Sequence, residues 1–225
     1  MKKLAYIFLV LLPFALAAQE EDASRFSKFD FGFTGSPDYS YRFLTSDASN
    51  QWIVDGYDSL EFSKVGYTLG VSGSYDFNSK FSLSLGVAFS DKGDKTKKEL
   101  VPSLNNYTNH YYYLDIPIRI NYYFVDKKIK LYSSLGISPS VFINHVIVTK
   151  LGSSSNDIRI VDNSTLSTIN IAAQAGLGFD VQLTDKWYFK MECLYKQSLQ
   201  SISNKTPVKK YLYSLAPTFG FFVHL

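Results

Sequence analysis

Imidazoles and thiols are few in this chain: His110, His145, His224 and Cys193. His110 and His145 flank a hairpin whose fold lies near residues 126–127, so folding brings them close at one rim. Two histidines there could hold a metal or share a proton-transfer role. Both have the parity of the neighbouring apolar residues, which makes contact with lipid headgroups the simpler use. Cys193 falls in the run Trp187, Phe189, Met191, Cys193, Tyr195 and reads as a small hydrophobe; alone, it has no internal disulfide partner. Gly-X-Ser-X-Gly, His-Glu-X-X-His and phosphate-loop motifs do not occur. A second chemistry is ionic. Asp115, Arg119, Asp180, Lys190, Glu192 and Lys196 occupy alternate positions within apolar segments. They would either pair with one another as a structural network or line a path that selects a small solute.

The segments that carry these residues are strands. From Tyr112 to Phe124 every second residue is large and apolar: Tyr112, Leu114, Ile116, Ile118, Ile120, Tyr122, Phe124. A period of two places these on one face and Asp115, Arg119 and Asn121 on the other. Aromatic ends and an aliphatic middle suit a strand crossing a bilayer. The pattern recurs. Strand one carries Phe29, Phe31, Phe33 and then Tyr39, Tyr41, Phe43, with an irregularity expected at Gly35-Ser36-Pro37. Strand two runs from Val65 to Phe77, strand three from Phe81 to Phe89 and strand five from Ile129 to Ile143. Strand six runs from Ile169 to Leu183, strand seven from Trp187 to about Leu199 and strand eight from Tyr211 to Leu225. Long polar loops are expected at 45–61, 91–108, 147–167 and 200–208, and tight connections at 78–80, 125–128 and 184–186. The second loop holds Lys92, Lys95, Lys97 and Lys98 among Asp91, Asp94 and Glu99, which reads as a solvated loop able to meet lipopolysaccharide. Tyr107, Tyr111, Tyr112 and Tyr113 read as an aromatic girdle.

Eight strands joined by alternating long and short connections predict an all-β fold. The expected architecture is an eight-stranded antiparallel up-and-down transmembrane barrel of the outer-membrane type, with both termini periplasmic. Closure pairs every backbone group within the hydrocarbon. The inner faces then fill the lumen, small on strands two and three and long and charged on strands four to seven. Arg119, Lys190 and Lys196 are expected to pair with Asp115, Asp180 and Glu192, since desolvated charges need partners. His224 would point inward near the periplasmic end.

Tyr113-Leu114-Asp115-Ile116-Pro117-Ile118-Arg119, followed by Tyr122-Tyr123-Phe124, resembles the Tyr-Leu-(Glu/Asp)-Ile-Pro-(Leu/Ile) strand of the PorT-like outer-membrane β-barrel family of Bacteroidetes-type bacteria. The resemblance implies a small barrel with no cofactor, and some relatives are linked to protein secretion.

The N-terminus, Met1-Lys2-Lys3 and an apolar run from Leu4 to Leu16 ending in Ala17-Ala18, reads as a signal peptide over 1–18. Residues 19–27 would be a short periplasmic lead-in and 28–225 the barrel. Removing 1–18 takes the net charge from +3 to +1, which leaves no electrostatic footprint for nucleic acid. Gly220, Phe221, Val223 and Leu225 resemble the C-terminal signal read by barrel-assembly machinery. The expected partners are therefore lipid, lipopolysaccharide, that machinery and secretion-system or other envelope proteins. A non-enzymatic interaction module is the leading function, a narrow channel the alternative, and an enzyme at the rim the third class.

Overall fold

A computed structural model describes residues 29–96, 107–125, 128–150, 157–161, 163, 166–203 and 206–225. The signal-peptide and lead-in readings, and Lys97, Lys98 and Glu99, lie outside these residues. Among the described residues ten strands form one antiparallel sheet: β1 (Phe29–Ser46), β2 (Glu61–Asp76), β3 (Phe81–Thr96), β4 (Tyr107–Asp115), β5 (Ile118–Val125), β6 (Ile129–Lys150), β7 (Asp157–Val161), β8 (Ile169–Gln182), β9 (Trp187–Ser198) and β10 (Val208–His224). β4 and β5 occupy a single place in the wall, between β3 and β6, and among the described residues β7 pairs with the far end of β6 alone. β10 returns to pair with β1, so eight wall positions close in a ring.

The stagger of the ring can be followed through its registered pairs. Ser40 lies opposite Ser214, then come Lys196, Gln174, Gly136, Arg119, Ser84 and Ser74, and the path re-enters β1 at Asp30. One circuit therefore drops ten residues along β1. In an eight-stranded barrel, stagger of this kind goes with strands steeply tilted to the axis and an interior just wide enough for side chains to meet.

Residue type is inverted relative to a water-soluble domain. The outer surface carries Phe33, Val65, Leu69, Leu85, Leu135, Leu177 and Leu215, all exposed, while the buried set is dominated by serine and charged side chains. Parity alone produces this. Along most of each strand every second residue is apolar, and the ring has only one inside. A belt of apolar residues on a closed wall is stable against lipid, where backbone groups find no other partner than the next strand. Cys193 is exposed on this outer face.

The structure departs from the sequence expectations at four places. The fourth strand is broken at Ile116–Pro117, where proline supplies no N–H to the ladder; the Ile116 N–H instead reaches Pro139 O at 2.8 Å. The first long loop contains a helix, α1 (Gln51–Leu60), which packs Val54 and Ile53 against Leu44 and Val208 over the long-loop end of the barrel. β3 runs on to Thr96 and β4 begins at Tyr107, so Asp91, Lys92 and Asp94 are strand residues, buried rather than solvated. Likewise β6 runs to Lys150 and gains β7 as a partner, which shortens the third loop from both sides. At Gly35-Ser36-Pro37 the expected irregularity is present: the pairing of β1 with β10 is interrupted between Gly35 and Tyr39, where Pro37 stands level with Pro217.

Candidate functional site

The lumen is the chemically distinctive part of the molecule, and it is organised as stacked polar layers. At mid-height Arg119 of β5 donates from Nη1 to the Glu192 carboxylate of β9, and Ser134 Oγ of β6 donates to the other carboxylate oxygen. The room for this crossing comes from Gly176 on β8. A Cβ there would lie 2.5 Å from Glu192 Oε1 and 2.7 Å from Ser134 Oγ. Glu192 is only 2% exposed, so the pair is desolvated and each partner depends on the other.

Toward the short-turn end, Lys190 Nζ lies 3.5 Å from Asp180 Oδ2 and 4.7 Å from the Tyr132 ring centroid. Tyr123 donates its hydroxyl to Asp180 at 3.1 Å. Below them, Asp30 accepts from Tyr188 at 3.0 Å and Ser74 at 3.3 Å and is bonded to His224 Nδ1. His224 thus joins the terminal strand to the first strand on the lumen side.

Toward the long-loop end, Lys196 Nζ donates to Asp38 at 2.9 Å and to Thr68 at 3.1 Å. Asp115 accepts from Lys92 Nζ at 3.1 Å and Ser140 Oγ at 2.6 Å. The six charged residues singled out in the sequence are all lumenal, and four of them meet as Arg119 with Glu192 and Lys190 with Asp180. Asp115 and Lys196 do not pair with each other. Each takes a partner from outside the six, Lys92 and Asp38. A further layer under α1 is absent from the sequence expectations altogether. Arg42 is bonded to Glu61 and, at 3.1 Å, to Asp58 of α1, while Lys210 approaches Asp94 at 3.4 Å. The sequence does carry a signal for Asp38 and Arg42, because both continue the inward parity of Asp30 on β1. Lys92 likewise continues the inward series of Ser82, Ser84 and Ser90.

Between the central pair and the Lys196 layer lies a cavity of about 40 Å³, lined by Asp115, Arg119, Gln174, Lys196, Thr68 and Thr218 among others. That volume is on the scale of water molecules rather than of a solute.

The histidines separate. Tyr111 lies opposite His145 and His110 opposite Val146, so the two imidazoles stand near the same rim, as the hairpin requires. They face opposite sides of the wall, however. The ladder between β4 and β6 shifts register between Tyr112 and Tyr113, which turns His145 inward against the expected parity. There it is buried, stacked on Tyr111 at 4.4 Å and within 3.1 Å of Asn109 Oδ1. His110 stays outside, stacked on Tyr112, with Nδ1 2.8 Å from Lys64 Nζ and 2.9 Å from Asp91 Oδ2. The two imidazoles therefore stack on different tyrosines, Tyr112 and Tyr111, on opposite faces of the wall. Among the described residues no group of three or more His, Cys, Asp or Glu is placed to hold a metal ion. Gly220, Phe221 and Val223 lie in β10 and register with β1 and β9, and Leu225 donates its N–H to Phe29 O at 2.9 Å.

Solved structures of outer-membrane barrels resemble this one in fold. Neisserial surface protein A is 16% identical, with a TM-score of 0.45, over 88% of this chain and 97% of that chain. The outer membrane protein OprG from Pseudomonas aeruginosa is 16% identical, with a TM-score of 0.48, over 88% and 95% of the two chains. The outer membrane protease OmpT from Escherichia coli is 5% identical, with a TM-score of 0.48, over 92% and 100%. No curated protein matches the sequence. The family model of the outer membrane protein beta-barrel domain matches residues 7–213, and the chain, with its closed ring and inverted core, belongs to that family.

Proposed function

We propose that this outer-membrane barrel is a non-enzymatic module of the cell envelope that works through its loops and turns, with its lumen serving as structure. The observation that carries this reading is the filled interior. Arg119, Glu192 and Ser134 span the middle of the lumen, and Tyr123, Tyr132 and Tyr188 close on the Lys190–Asp180 layer beneath it. Charges paired across the lumen resist the passage of a solute, because each would have to give up a desolvated partner. The similarity of Tyr113–Arg119 to the PorT-like strand supports a secretion-associated or envelope-structural role as the concrete form. In this reading the long loops face outward, both termini are periplasmic after removal of residues 1–18, and barrel-assembly machinery recognises the final strand. Separation of His110 from His145 across the wall weighs against a rim enzyme.

The test is extraction of the tagged, full-length barrel in mild detergent, followed by identification of bound proteins. Reproducible recovery of secretion or other envelope components is the expected result, with loop and turn variants reducing it. A clean monomer without partners would contradict the proposal.

A further inference from the structure

The outer face of the long-loop end carries a charge cluster that the lumen does not use. Asp91 belongs to the outward series of Leu85, Val87 and Phe89 on β3, and lies opposite Tyr112. Lys64 Nζ reaches its carboxylate at 2.5 Å, and His110 Nδ1 lies against both. The wall is irregular here in three ways. The β2–β3 ladder shifts between Ser63 and Tyr67, the β4–β6 ladder shifts between Tyr112 and Tyr113, and glycines stand on either side of Asp91. A Cβ at Gly66 would fall 1.9 Å from Asp91 O, and one at Gly93 would fall 1.9 Å from Asn109 O. Bulges re-aim side chains, and here they gather Lys64 and His110 around one acid.

Two more cations border this cluster. Lys95 is four residues beyond Asp91 on the same strand and lies opposite Thr108, two residues from His110. Arg159 of β7 lies opposite Val148, which lies opposite Thr108, and it is exposed. Among the described residues neither Lys95 nor Arg159 forms an ion pair. Lys95 and Arg159 therefore add positive charge beside the buried Lys64–Asp91 pair, whose own charges cancel. Opposite Asp91 stand Tyr67 and Tyr112, and with Phe89, the next outward position toward the barrel middle, they form an aromatic group with ring centroids 6.2 and 5.6 Å apart. Aromatic rings of this kind sit at the level where hydrocarbon gives way to headgroups. Excess positive charge just beyond them faces phosphate.

We infer that this face binds the phosphate of an anionic lipid headgroup. Arg159 and Lys95 are its ionic partners, and His110 and Tyr112 are its polar ones. Lys64 and Asp91, at 2.8 and 2.9 Å from its Nδ1, hold the imidazole in place and leave Nε2 free to face the headgroup. Charge-assisted bonds to phosphate are the strong kind, and arginine in particular matches its geometry. The inference rests on the membrane barrel and is independent of any secretion partner.

Native mass spectrometry of the full-length barrel with dioleoylphosphatidylglycerol, dioleoylphosphatidylcholine or inorganic phosphate tests it. The wild type should retain phosphatidylglycerol at least tenfold better than phosphatidylcholine. Arg159→Gln with Lys95→Gln should abolish that preference, and His110→Leu should reduce it, while Lys186→Gln at the opposite end leaves it intact. Retained heat-modifiable migration on gels establishes that each variant is folded. Equal retention of the two lipids, undiminished retention by the folded double variant, or displacement of the lipid by millimolar inorganic phosphate would each overturn the assignment.

Discussion

Replacing Glu192 with leucine should lower the unfolding free energy of the barrel by about 3–5 kcal/mol, the cost of leaving one member of a buried ion pair without its partner. The structure explains why the loss falls at the large end. Glu192 holds Arg119 through one carboxylate oxygen and Ser134 through the other, and among the described residues Arg119 forms an ion pair with no other acid. The exposed Trp187 at the short-turn end reports unfolding by fluorescence as urea rises in a micellar preparation. The companion variant, Arg119→Met with Glu192→Leu, removes both charges and should recover most of the loss, since apolar replacement of a whole buried pair is often neutral or better. A loss in the double variant equal to that in the single one would show that packing, and not the uncompensated charge, sets the cost.

Gly136→Val should prevent assembly of the barrel. Gly136 lies on β6 opposite Arg119, and a Cβ at that position would stand 2.1 Å from Ile118 O and 2.7 Å from Arg119 Cγ. The first contact is backbone, so the strands themselves must part, and the second pushes the arginine out of its layer. Overpacking of ordinary side-chain contacts costs about 1–3 kcal/mol, and a backbone clash in a closed ring costs more. The expected readout is loss of heat-modifiable migration on unheated gels. Gly56→Ala provides the contrast. Gly56 lies on α1, where an added methyl would meet nothing within 4 Å, and removing a helical glycine stabilises by up to about 1 kcal/mol.

The wall of the barrel was legible because its signal is local. Alternation in Tyr112–Phe124 or Trp187–Tyr195 states which residues face lipid without reference to any other strand, and the short turns fix which strands are neighbours. The long-loop end was not legible, for a different reason. Asp91, Lys92 and Asp94 look solvated when read along the chain, and become strand residues only through partners on distant strands: Lys64, Asp115 and Lys210. His145 shows the sensitivity of parity itself. A single register shift between Tyr112 and Tyr113 exchanges inside for outside, and nothing in the run Ile143-Asn144-His145 marks the shift. Helix α1 was hidden by its composition, since Gln51–Leu60 mixes polar residues with the few apolar ones that reach Leu44 and Val208. Within the lumen, the identity of the charged residues followed from parity, whereas the pairing followed from the stagger of the ring. Lys196 bonds Asp38 of β1, two strands away in the ring, while Asp115 is taken by Lys92 of the neighbouring β3.

Single-channel recording of the purified wild-type barrel in planar bilayers bears most directly on the filled lumen. The packed layers around Arg119 and Glu192 predict no resolvable opening at moderate voltage. A reproducible open level, altered in size or ion selectivity by Arg119→Ala or Lys190→Ala, would contradict the closed interior and establish a channel.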